Sequence, residues 1–208
     1  NFGAGVDNID VATANARGVT VTNTPGVLTD DTADMAMALI LATARRLVEG
    51  AEVVQTGGFQ GWSPTWMLGR RIWGKRLGIV GMGRIGQAIA RRLEASLVPV
   101  VYHSRNPAKG VSNRHYPNLV EMAKAVDTLV VITPGGASTA KIVNAEVIDA
   151  LGPNGVIVNV ARGSVIDEEA LIAALKAGKI LGAGLDVFEQ EPPPTGNPLF
   201  ALPNVITA

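Results

Sequence analysis

The stretch Leu77-Gly78-Ile79-Val80-Gly81-Met82-Gly83-Arg84-Ile85-Gly86 decides how this chain is read. Leu77–Val80 is a short continuous apolar run, the pattern of a strand buried on both faces. It runs directly into three glycines spaced GxGxxG. Ile85, Ile89 and Leu93 then recur at i, i+4 and i+8, with Arg91, Arg92 and Glu94 left to the other faces of a helix. Glycines at that spacing alone say little in a chain that contains 24 of them. A strand before and a helix after make the spacing informative. In such a unit Gly81 permits the tight turn, Gly83 lets the backbone approach a pyrophosphate, and Gly86 lets helix pack on strand. The helix N-terminus, around Arg84 and Ile85, then turns its amides toward the diphosphate. Gly81 to Gly86, Met82 included, is read as a dinucleotide-binding loop.

Outward from this loop, further apolar runs lie at Val98–Tyr102, Leu129–Ile132, Val156–Val160, Ala183–Val187 and Val205–Thr207. Helices with readable ends separate them. Asn118-x-x-Glu121 has the form of a capping box leading into Leu119, Met122 and Val126. Asn144 is placed to cap a helix through Val147, Ile148 and Leu151, stopped by Gly152-Pro153. Asp167, with Glu168 and Glu169, opens a helix through Leu171 and Leu175, with Lys176 in its last turn and Gly178 beyond. Strands alternating with helices at this spacing predict an α/β fold with a doubly wound parallel sheet of the Rossmann type.

Upstream, Thr29 to about Thr56 is expected to form one long helix. Asp30, Asp31 and Asp34 near its start and Arg45 and Arg46 further on suit its dipole. Residues 35–44 are apolar around nearly the whole circumference, which predicts burial on several sides. A domain-connecting helix, a subunit interface and a core helix of one domain all fit. The irregular segment 57–69 follows. Phe59, Trp62, Trp66 and Trp73 are four of only nine aromatics. They form either a contact surface or a cover for the domain's own core.

The 208 residues carry 18 Lys+Arg against 18 Asp+Glu. This balance lacks the basic footprint of a nucleic-acid binder and gives no strong attraction to anionic membranes. The absence of cysteine removes disulfides, thiolate catalysis and Cys-ligated metal centres. With His103 and His115 as the only histidines, a multi-histidine metal site is not expected either. The longest apolar stretch, Met35 to Ala44, is half a membrane span, and no signal pattern leads the chain. A cytoplasmic protein without nucleic-acid or membrane partners is expected. Asn1 in place of a Met, and a β-branched run at Val205-Ile206-Thr207, read like the interior of a longer protein.

Cofactor preference is read after the second strand, where an NAD site places an acid about 20 residues beyond the glycines. Here His103-Ser104-Arg105-Asn106 contains none. A carboxylate would repel a 2′-phosphate, whereas Arg105 and the Ser104 hydroxyl can hold one. NADP is therefore preferred, with NAD possible. Reduction of a 2-oxo acid needs a cation for the carboxylate and a proton donor beside the hydride path. Arg162 follows the Val156–Val160 run and Glu191 follows Ala183–Val187, so both belong at the carboxyl edge of the sheet, where ligands bind. A structural salt bridge accounts equally well for each.

Five stretches carry a family resemblance: Asn1–Asp10 (NFGAGVDNID), Val21–Asp34 (VTNTPGVLTDDTAD), Leu77–Ala90 (LGIVGMGRIGQAIA), Val158–Leu171 (VNVARGSVIDEEAL) and Ala183–Pro192 (AGLDVFEQEP). In order and spacing, over nearly the whole chain, they resemble the D-isomer-specific 2-hydroxyacid dehydrogenases. Ser104-Arg105-Asn106 and Trp62–Gly69 are most similar to the glyoxylate/hydroxypyruvate reductases of that family. The resemblance implies that residues 1–25 are a remnant of a second, flavodoxin-like substrate domain. It implies that residues 26–208 are the NAD(P)-binding domain, with a homodimerisation helix and loop at about 29–73. The implied reaction is hydride transfer from NADPH to a small 2-oxo acid, giving the D-2-hydroxy acid.

The resemblance also implies roles. Arg162 binds the substrate carboxylate, which the backbone around Ala4 and Gly5 also receives. Glu191 hydrogen-bonds a catalytic histidine and raises its pKa. Asp186 holds the nicotinamide carboxamide, and Thr133, Pro134, Val160, Ala161 and Arg162 line the cofactor. Thr32 faces the phosphates. Residues near Trp62 and Trp66 reach the partner's active site. In the family the histidine follows a strand like Asn204–Ala208 in a Pro-His context, so it is expected beyond Ala208, and the 208 residues alone are expected to lack reductase activity. His103 belongs at the adenosine end and His115 in a loop before a helix, so neither substitutes. Gly135-Gly136 departs from the family's Leu-Thr, which weakens the cofactor assignment there. A dinucleotide-sensing corepressor and an NAD-linked D-lactate or phosphoglycerate dehydrogenase remain as alternatives.

Overall fold

In the computed structural model, which describes residues 1–208, the apolar runs become strands β1 (Leu77–Val80), β2 (Val100–His103), β3 (Arg114–Tyr116), β4 (Thr128–Val131), β5 (Val156–Asn159), β6 (Gly182–Leu185) and β7 (Val205–Thr207). The helices are α1 (Val11–Ala16), α2 (Thr29–Arg45), α3 (Leu47–Gln55), α4 (Arg84–Ala95), α5 (Leu119–Lys124), α6 (Ala145–Leu151) and α7 (Glu168–Lys176). The strands form one sheet in the order β3-β2-β1-β4-β5-β6-β7. Every pairing is parallel, with Leu77 facing Val100 on one side and Thr128 on the other. This is the Rossmann order with a seventh strand added. Winding reverses between β1 and β4, which opens a crevice at their carboxyl ends.

The continuous apolar runs follow from helices on both faces. Along β4, Leu129 and Val131 point to the core beneath α5, α6 and α7, with Met122, Ile148 and Leu171. Val130 points the other way, to the core beneath α2 and α4, with Leu39, Ile40, Ile89 and Leu93. Each such fully buried Leu or Ile contributes about 1.5–3 kcal/mol. The expected caps form: Asn118 accepts from the Glu121 amide at 3.0 Å, Asn144 from Val147 at 3.1 Å and Asp167 from Ala170 at 3.3 Å. Glu121 does not close the capping box, pairing with Lys124 at 2.8 Å instead. No helix is long and apolar enough to cross a membrane.

Three expectations need correction. The long helix is two helices, because Arg46 adopts a left-handed conformation at φ 54°. The break is imposed from a distance. The Arg70 amide takes the Ala44 carbonyl at 2.6 Å, and the chain at Gly69 crosses so tightly that a Cβ there would lie 2.9 Å from that carbonyl oxygen. Next, α2 is buried on one face only, through Ala33, Ala36, Leu39, Ile40 and Ala44, while Met35 and Leu41 are exposed. No other part of these 208 residues covers that outer face. Lastly, His115 stands on β3, not in a loop. β3 is a polar edge strand that pairs only with β2, so its sequence carries no apolar signal.

The aromatic segment does not cover the domain's own core. Phe59, Trp62, Trp66 and Trp73 are 52%, 82%, 42% and 54% exposed. Phe59 packs on Trp66 with ring centroids 5.5 Å apart, and the Arg71 guanidinium lies over Trp73.

Candidate active site

The glycine loop follows β1 at the crevice, and its three glycines do different work. Gly81 has φ 106°, and a Cβ there would lie 2.9 Å from the backbone of Ile132 and Thr133, on the neighbouring strand's exit. A Cβ on Gly86 would strike the Gly81 carbonyl. Gly83 is the N-cap of α4, and nothing lies within 4 Å of where its Cβ would point. No side chain caps α4, so its first-turn amides stay free beside that open space. Free amides at the positive end of a 12-residue helix, approached over bare backbone, fit a dinucleotide's diphosphate. Met82 is buried beneath the loop, in the same core as Ala33 of α2.

At the end of β2 the two histidines shape the chain instead of facing the crevice chemistry. His103 Nδ1 lies 2.8 Å from the Tyr116 carbonyl, and His115 Nε2 lies 2.9 Å from the Ser104 carbonyl. The Ser104 hydroxyl donates to the Asn106 carbonyl at 2.6 Å, making a tight turn at 104–106. Arg105 projects from that turn, exposed and without an ion pair.

Arg162 leaves the end of β5 on a turn built by Asn159. That side chain is 1% exposed; its Oδ1 accepts from the Ala161 amide at 3.0 Å and its Nδ2 donates to the Arg162 carbonyl at 2.9 Å. The guanidinium Nε donates to Asp7 Oδ2 at 3.0 Å and Nη1 to the Ala161 carbonyl at 2.7 Å. The Arg162 hydrogen bond holds the Asp7 carboxyl below its usual range. Glycines let this arginine in. A Cβ on Gly5 would run into its Nη2, and one on Gly135 would lie 3.0 Å from its Cγ. The departure at Gly135 thus makes room for the arginine stem. Ala4 is fixed beside it, its carbonyl accepting from Asn23 Nδ2 at 2.7 Å.

Asp186 follows β6, its amide donating to the Asn159 carbonyl at 3.0 Å. Burial, and then the charge of Glu191, push its carboxyl up. Glu191 is exposed, and its Oε1 accepts from the Phe188 amide at 3.0 Å. The two loops touch: a Cβ on Gly163 would collide with the Phe188 carbonyl. Thr133 and Pro134 leave β4 between the glycine loop and Gly135, while Val160 and Ala161 are buried under the Arg162 turn. The Thr32 hydroxyl donates to the Leu28 carbonyl at 2.8 Å, within its own helix, and makes no bond to the glycine loop. A separate cleft at the opposite edge of the sheet, lined by Arg70, Lys75, Asp127 and Asn154, holds none of these residues.

Sequence reasoning missed Asn159 and Asp7. A buried Asn inside Val158-Asn159-Val160 is the one detectable signal, because a polar residue in a two-faced strand needs bonding partners.

Known proteins share this sequence and fold. Residues 37–208 match the family described as D-isomer specific 2-hydroxyacid dehydrogenase, NAD binding domain. A glyoxylate reductase of Pyrococcus furiosus is 46% identical over 213 residues, covering 99% of this chain and 63% of its own length. A hydroxyphenylpyruvate reductase of Plectranthus scutellarioides is 46% identical over 206 residues, covering 99% and 65%. The crystal structure of an NADPH-dependent glyoxylate/hydroxypyruvate reductase of Sinorhizobium meliloti, in complex with NADP and malonate, matches with TM-score 0.90 and 50% identity over 99% of this chain and 64% of its own. The chain therefore spans less than two thirds of the length of these relatives. By its sheet order, its glycine loop and these matches, the chain belongs to the D-isomer specific 2-hydroxyacid dehydrogenases.

Proposed function

We propose that these residues form the dinucleotide-binding part of a cytoplasmic, NADPH-dependent reductase of small 2-oxo acids, of the glyoxylate/hydroxypyruvate type. One observation carries the reading: the uncapped N-terminus of α4 opens over bare Gly83 at the carboxyl edge of the sheet, the edge from which Arg162 also projects. A relative 50% identical carries NADP and malonate, a dinucleotide and a carboxylate. Residues 1–25 belong to the substrate domain and 26–208 to the cofactor domain. Exposed apolar side chains over 29–73, Trp62 at 82% foremost, support a homodimer through that segment.

In this mechanism Arg162 and the Ala4–Gly5 backbone hold the substrate carboxylate and aim the neighbouring carbonyl at the crevice. NADPH, when bound, would supply the hydride. Gly81 to Gly86 and Thr32 would hold its diphosphate, Ser104, Arg105 and Asn106 its 2′-phosphate, and Thr133, Pro134, Val160, Ala161 and Asp186 the nicotinamide end. Glu191 keeps a neighbouring proton donor charged. The test is NADPH oxidation by the full-length protein with glyoxylate and with hydroxypyruvate. Turnover that falls about 10²–10³-fold in kcat/KM on Arg162→Gln supports the reading. Tight NADPH binding with no turnover of any 2-oxo acid overturns it in favour of a dinucleotide-sensing regulator.

A further inference from the structure

Glu168 is the first residue of α7, yet its side chain crosses to the loop that carries Glu191. Its Oε2 accepts from the Glu189 amide at 3.0 Å and its Oε1 from Asn197 Nδ2 at 3.0 Å. Asn197 is 7% exposed, and its own Oδ1 accepts from the Leu199 amide at 2.9 Å. One carboxylate thus ties down both sides of the segment in which Glu191 stands. The preceding amide, that of Phe188, donates to Glu191 itself at 3.0 Å. Consecutive amides are held by consecutive carboxylates, one from α7 and one from the loop. The Phe188 carbonyl between them rests on Gly163, next to Arg162.

We propose that Glu168 is a positioning residue that sets where the Glu191 carboxylate stands relative to Arg162. The proposal rests on the reading that Glu191 serves a proton donor. The donor set selects a carboxylate: both partners are N–H groups, so both oxygens must accept. A glutamine at 168 would offer one acceptor and press its NH2 against the other donor. Favourable interaction with the helix dipole does not account for the arrangement, since Glu169 serves that purpose from the next position. Of the charged groups near this loop, Asp186 feels the charge of Glu191, Glu168 holds the Glu189 amide, and Arg162 adjoins Gly163, on which the Phe188 carbonyl rests.

The test uses the full-length protein with Glu168→Gln, Glu168→Asp and, as control, Glu169→Gln. Glu168→Gln is expected to lower kcat/KM for the 2-oxo acid about tenfold and to move the basic limb of its pH profile down by about half a unit, with KM for NADPH within about twofold. Hydrogen exchange at the Phe188 and Glu189 amides should rise together with these changes. Glu168→Asp keeps the charge but is too short to reach both donors, so it should show the same shift if the glutamine variant does not fold. Glu169→Gln should change nothing. A basic limb that coincides with wild type, in a variant whose amides exchange faster, overturns the proposal, for Glu168 would then be a structural tether only. An inactive wild type overturns the proposed function instead.

Discussion

The Arg162 guanidinium donates through Nε to Asp7 at 3.0 Å, joining residues 155 positions apart in the chain. This pair fastens the first ten residues to the turn after β5. Asp7 is held below the usual carboxyl range by that bond. Its contribution to stability is thus present above the ordinary value of 3.8 and lost as pH falls through the lower, folded value. Asp7→Asn should remove that dependence. Thermal melts between pH 6 and pH 3 should show the wild-type Tm falling more than the variant's; parallel melts would show that the pair does not contribute.

Gly83 and Gly86 should fail in different ways. Gly86→Ala forces a Cβ into the Gly81 carbonyl and should cost about 1–3 kcal/mol of stability, read by urea denaturation. Gly83→Ala meets no protein atom and should leave the fold intact, while its methyl fills the approach to the α4 amides. Calorimetry should show NADPH affinity reduced at least about tenfold. Unchanged affinity would mean that the diphosphate does not lie there.

Arg105 stands exposed, without an ion pair, on the turn that Ser104 makes with Asn106. Arg105→Asp should lower the kcat/KM ratio of NADPH to NADH by about 10²-fold, as a charge-assisted bond is exchanged for a repulsion. Equal losses with both cofactors would rule out recognition of the 2′-phosphate.

Trp62 is the most exposed of the segment's aromatics. Trp62→Asp should shift the sedimentation coefficient toward that of a monomer and leave far-ultraviolet circular dichroism unchanged, since no core contact is lost. A dimer that persists at micromolar concentration would place the interface elsewhere.

What could be read from the sequence was local. Asn118, Asn144 and Asp167 cap helices within three residues of themselves, and each cap formed. The strands of the sheet's interior announced themselves because both faces are apolar. What could not be read was decided by partners far along the chain. Nothing in Arg45-Arg46-Leu47 foretells a helix break, because Gly69 and Arg70 impose it. β3 gives no apolar signal because it borders solvent and has one neighbour. At the site, Arg162 and Glu191 were visible as charges at strand ends. Asn159 and Asp7 were not, since their meaning lies in which amides and which arginine they meet.

The contact of α2 with β6 has a consequence for substitution. Gly182 and Gly184 give β6 no side chains on that face, and Thr43 and Leu39 of α2 sit directly on its backbone. Leu41, on the opposite side of the same helix, is 43% exposed. The wall between the molecule's exterior and the strand that delivers Asp186 is therefore a single helix, with no cushioning layer of side chains from the strand. A Cβ at Gly184 would stand 3.0 Å from the Thr43 hydroxyl and 3.1 Å from Leu39 Cβ, so even an alanine there would have to lift the helix off the strand that leads to Asp186.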